Sequence, residues 1–64
     1  MGRPAAAGKV SAYEAGKTIS VAVGNETKEF KIDGDTKVEG ELAVGKEVEV
    51  FAKDGTATKI VVKP

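Results

Sequence analysis

The stretch Ser11–Thr18 (SAYEAGKT) ends in Gly16-Lys17-Thr18 and departs from the phosphate-binding pattern Gly-x-x-x-x-Gly-Lys-[Ser/Thr] only at Ser11. Such a loop works because it leads from a buried strand into a helix, whose first N–H groups hold the phosphates together with the lysine. Lys17 is succeeded here by Thr18-Ile19-Ser20-Val21-Ala22-Val23, β-branched and alternating, which is the pattern of a strand. A chain of 64 residues also leaves no room for the parallel α/β sheet that carries these loops. The triplet is therefore expected to be a hairpin turn.

Carboxylates are the next groups with chemistry to offer. Asp33-Gly34-Asp35 opens like a calcium loop, but the spacing then demands Asp or Asn at 37, glycine at 38 and glutamate at 44, where this chain has Lys37, Val38 and Val44. An Asp-Gly turn at a strand end is expected instead. Glu39, Glu41, Glu47 and Glu49 form an acidic cluster. Acid–base work needs a cleft that drives two carboxyl pKa values apart, and a solvated strand face supplies none. Glu47 and Glu49 are expected to pair with lysines across the sheet, such as Lys59. The chain has no cysteine and no histidine, so thiolate chemistry, the commonest general base and the commonest transition-metal ligand are all missing. No nucleophile–base pair is legible. The expectation is a non-enzymatic protein with no cofactor or metal site.

The aromatic residues are Tyr13, Phe30 and Phe51. Strict alternation turns Phe51 away from the face bearing Val48 and Val50, so it is either an exposed stacking platform or a ring covered by the N-terminal lead or Tyr13. Phe51 and Tyr13 are the candidate surface-binding residues. Ten basic and ten acidic residues cancel; residues 1–31 carry +2, 32–49 carry −4 and 50–64 carry +2. No basic stripe results and Arg3 is the sole arginine, which disfavours a nucleic-acid partner. No apolar run approaches the roughly 20 residues of a membrane span.

These residues must be positioned by strands. From Lys9 onward the hydrophobic pattern has period two with turn punctuation. It predicts strands at Lys9–Tyr13, Thr18–Val23, Glu26–Ile32, Glu47–Lys53 and Thr56–Val62, with a short piece at Thr36–Glu39. Gly24-Asn25 and Asp54-Gly55 are hairpin signals. Fourteen residues are expected to face the core: Val10, Ala12, Ile19, Val21, Val23, Phe30, Ile32, Val38, Leu42, Val44, Val48, Val50, Ile60 and Val62. So small a core tolerates exposed sheet edges poorly, and closing the sheet removes them. The fold class is all-β: a small antiparallel barrel of five or six strands, OB-fold-like, with an SH3-like barrel as the alternative. Residues 1–7 (MGRPAAA), which lack the apolar run of a signal peptide, read as a flexible lead; residues 8–64 form the single barrel domain. An incompletely closed edge strand would be a route to weak self-association.

The succession Gly8-Lys9-Val10, Ile19-Ser20-Val21, Thr36 through Gly40, Leu42 through Val50, Asp54-Gly55 and Ala57 through Ile60 resembles the bacterial domain of unknown function numbered 5666. The resemblance implies a small OB-like barrel of exported or cell-envelope proteins, with no assigned activity. The outline is also similar to periplasmic copper- and silver-binding chaperones, which hold soft metal through histidine, methionine and tryptophan. Here histidine and tryptophan are absent and Met1 is the sole methionine, so that function does not carry over. The narrow residue alphabet also fits a consensus-like or designed sequence, since patterning and turn chemistry agree throughout. The functional expectation is a structural or accessory binding module or an engineered scaffold. Its alternative is an OB-type module for single-stranded nucleic acid.

Overall fold

The computed structural model describes residues 2–64. Six strands succeed one another: β1 (Ala6–Glu14), β2 (Thr18–Val23), β3 (Glu26–Lys31), β4 (Lys37–Glu39), β5 (Glu47–Lys53) and β6 (Thr56–Val62). The sheet order is β3-β2-β1-β5-β6-β4, and a parallel bridge between Lys31 and Thr56 joins β3 to β6. Strands β1, β2, β3, β6 and β5 thus close a ring, and β4 lies outside it along the edge of β6. The chain is an all-β small barrel of the OB/SH3-like kind.

The strand limits obey the alternating pattern at β2, β5 and β6. At β1 they do not. The strand reaches back to Ala6, into the segment expected to be a lead, and the Ala5 N–H donates to the Val50 carbonyl at 2.7 Å. Ala6 is buried against the core, a position that a run of alanines does not advertise by periodicity.

Strand β1 serves two neighbours. Its first part, Ala6–Lys9, pairs with Val50–Glu47 of β5, and its second, Lys9–Glu14, pairs with β2. At the handover Gly8 lies so close to β2 that a Cβ there would stand 2.0 Å from the Ala22 carbonyl oxygen. Only a glycine lets the strand pass from one partner to the other.

Two bulges reset which side chains face inward. The β1–β2 register slips between Val10 and Ala12, so Ala12 comes opposite Ser20 and Tyr13 opposite Ile19. Ala12, expected in the core, is therefore exposed. On β6 the register slips beside Phe51 and Ala52, and Thr58 is left between the pairs Ala52–Ala57 and Phe51–Lys59. Ala57 takes the buried place as a result. Two further core expectations fail: Val38 is 44% and Val44 62% exposed. Val38 has a strand on one side only, and Val44 lies in the turn closed by the bond from the Lys46 N–H to the Ala43 carbonyl. Leu42 packs against the core as expected.

The Gly16-Lys17-Thr18 triplet is a turn between β1 and β2. The Lys17 N–H donates to the Glu14 carbonyl at 3.0 Å, and Gly16 at φ 73° occupies the third position of a type II turn. It leads into a strand and not a helix. At the other suspected loop, the Asp33 carboxylate accepts from the Asp35 N–H at 2.9 Å, which makes the segment a side-chain-closed turn. The Thr36 hydroxyl has one proton, and its 2.6 Å contact to the Ala57 carbonyl claims it; the same oxygen accepts from the Asp33 N–H at 3.1 Å. Thr36→Val removes both bonds from a half-buried site that ties this turn to β6. A loss of about 1 kcal/mol is expected, read as a fall in melting temperature of roughly 4–8 °C by circular dichroism. An unchanged melting temperature would remove the tie.

Candidate functional site

Phe51, which alternation turns outward, lies on the β5–β6 hairpin, and the hairpin chemistry decides what stands beside it. Asp54 at φ 53° and Gly55 at φ 82° make the two-residue turn that suits the twist of paired strands. From this turn the ladder runs through Lys53–Thr56 and Ala52–Ala57, skips Thr58 at the bulge, and brings Lys59 directly opposite Phe51. The bulged residue is held in place by its own side chain, since the Thr58 hydroxyl donates to the Phe51 carbonyl at 3.1 Å.

The Lys59 ammonium consequently lies over the Phe51 ring, 5.9 Å from its centroid, and 3.4 Å from the Glu39 carboxylate on β4. Each contact at a solvated site contributes on the order of 0.5 kcal/mol. Phe51, Thr58, Lys59 and Gly2 line a shallow depression of about 500 Å³. The ring is thus half-buried under a lysine, and Gly2 of the N-terminal segment lines the same depression. Thr58 and Lys59 are not legible as neighbours of Phe51 in the sequence, because alternation alone does not locate a bulge.

Tyr13 is elsewhere. Ala6 pairs with Val50, the residue next to Phe51, while Tyr13 stands seven residues further along β1 opposite Ile19. At about 3.3 Å per residue the two ends of that segment are roughly 20 Å apart. Tyr13 is 37% exposed at its own end of the strand. The two candidate aromatics therefore do not converge on one ligand.

The acidic cluster disperses in the same way. Glu39 pairs with Lys59, and Glu49 with Lys63 at 3.8 Å. The expected partnership of Lys59 with Glu47 or Glu49 is thus corrected: the short strand β4 runs beside β6 and brings Glu39 to Lys59 first. Glu47 lies opposite Lys9 in the β1–β5 ladder. Among the described residues no group of three or more carboxylates is placed to share a metal ion. No helix of the described residues is long and apolar enough to cross a membrane.

Compared with known proteins, the chain matches no family model, and no curated protein or solved structure is similar enough to be assigned as a relative.

Proposed function

We propose that the chain is a non-enzymatic β-barrel module, a structural or accessory binding domain or an engineered scaffold, that acts through its outer surface. The character of the buried residues carries this reading. Ala6, Val10, Ile19, Val21, Phe30, Val48, Val50, Ala57 and Ile60 fill the interior, and no polar or charged side chain is buried among the described residues. Reactive groups acquire their altered acidity from burial beside a specific partner. Here the ion-paired side chains stand in solvent: Lys17 with Glu14, Lys59 with Glu39 and Lys63 with Glu49. The resemblance to the family numbered 5666 accords with the same reading, and it points to an exported or cell-envelope parent.

The Phe51–Lys59 pair favours one second reading, an OB-type module for single-stranded nucleic acid, because base stacking on an aromatic beside a cation is how such barrels bind. Against it, the ammonium already lies over the ring, and Tyr13 is at the far end of β1. A thermal-shift titration separates the readings. With a 15-nucleotide oligothymidylate at about 50 μM and about 20 mM salt, the melting temperature is expected to stay within about 1 °C; a ligand at 100 times its Kd would stabilise by about 2.7 kcal/mol, on the order of 10–20 °C here. A rise of several degrees that disappears at about 0.3 M salt and in Phe51→Ala would replace the module reading with the nucleic-acid one.

A further inference from the structure

Two of the strand edges that the barrel leaves open, those of β4 and β3, differ in how they would meet a second copy of themselves. Among the described residues strand β4 hydrogen-bonds to β6 alone and has no strand on its other side. The orientation of its backbone is set by the ladder beyond it. The Lys63 N–H donates to the Glu47 carbonyl at 2.8 Å, so the odd residues at this end of β6 turn toward β5 and Ile60 turns toward β4. Because Ile60 stands beside Val38 in the parallel pair, it bonds to Lys37 and Glu39, and the Val38 N–H and carbonyl point outward.

From this geometry we infer that two copies of the chain associate weakly by pairing their β4 strands antiparallel about a two-fold axis at Val38. In that register Val38 exchanges two N–H···O bonds with the partner's Val38. The half-exposed isopropyl groups on the two strands then cover one another. Lys37 comes opposite the partner's Glu39, and Glu39 opposite the partner's Lys37, in the closely spaced type of antiparallel pair. The interface is self-complementary in backbone, shape and charge, as a two-fold contact requires. A formal net charge of zero adds no long-range repulsion.

The edge of β3 lacks this match. It pairs with β2 along its full length, and across from β2 only Lys31 has a partner strand. The two-fold registers with the longest overlap on β3 set Lys28 against the partner's Lys28, or Glu29 against the partner's Glu29. Like charges directly opposite resist pairing. This inference is independent of the module reading, since a nucleic-acid-binding barrel would carry the same edge.

The experiment is a charge swap read by NMR and sedimentation. Between about 0.05 and 2 mM, the Lys37, Val38 and Glu39 amides are expected to shift with concentration while those of β3 stay fixed, and the sedimentation coefficient is expected to rise. Lys37→Glu places like charges across the axis and is expected to weaken association roughly tenfold. Adding Glu39→Lys to it restores opposite charges and is expected to recover most of the loss. Circular dichroism melting of each variant as a dilute monomer confirms that the barrel is intact. Monomer throughout the concentration range, shifts confined to β3, or association indifferent to Lys37→Glu would each overturn the inference.

Discussion

Gly8→Ala is expected to lower the melting temperature by roughly 12–24 °C, at about 4–8 °C for each kcal/mol lost. The added methyl would stand 2.0 Å from the Ala22 carbonyl oxygen and 3.2 Å from a methyl of Val21. The first of these atoms belongs to the backbone of β2, so it cannot swing aside as the end of a long side chain would. Either β1 moves away from β2, breaking pairs at Lys9 and Val10, or it moves along β5 and disturbs the pairing of Ala6 with Val50. Overpacking of this kind costs about 3 kcal/mol. Total stability for a chain this size is on the order of 3–10 kcal/mol, so the loss is a large share of it. Gly34→Ala is the control, because a Cβ there meets nothing within 4 Å. Equal midpoints for the two variants in urea would show that β1 does not need its glycine.

Ile60→Ala carries the second large effect. Ile60 is fully buried and sits between Val50 of β5 and Val38 of β4. Truncation removes three carbons from the middle of a close-packed interior and leaves a cavity that three strands cannot readily collapse. The expected cost is about 2–5 kcal/mol. Val38→Ala, on the same rung of the ladder, trims a side chain that is already 44% exposed, and its expected cost is below about 1 kcal/mol. Denaturant unfolding monitored by far-ultraviolet circular dichroism reads both. If the two variants lost the same stability, the interior would not be where the barrel places it.

Much of this architecture is legible in the residue pattern. Ile19 and Val48 announce themselves by standing between polar neighbours, Val21, Val50 and Ile60 by keeping the period of two with Ile19, Val48 and Val62, and Asp54-Gly55 announces the turn between β5 and β6 by its tolerance of positive φ. The illegible remainder has two physical causes. A bulge adds a residue without leaving a mark on composition, so every inward assignment beyond it changes parity; alternation misplaces Ala12 and Ala57 for that reason. Alternation also describes a strand without saying what lies over it. Val38 and Val44 look like core residues, yet one lies on an outboard strand and the other in a turn. The Phe51 neighbourhood is hidden by the first cause. Lys59 is its cross-strand partner only because Thr58 is left out of the ladder.

The double allegiance of β1 also has a consequence in time. Its later half meets β2 across a short turn, so the β1–β2–β3 meander zips up from local encounters. Its earlier half waits for Val50, more than forty positions away, and the loop that must be closed makes this the slow event. Until then the nascent chain is an unsealed ribbon with one flank of valines bare to other chains. The hazard of aggregation is concentrated in that interval, and it ends when the β5–β6 hairpin docks.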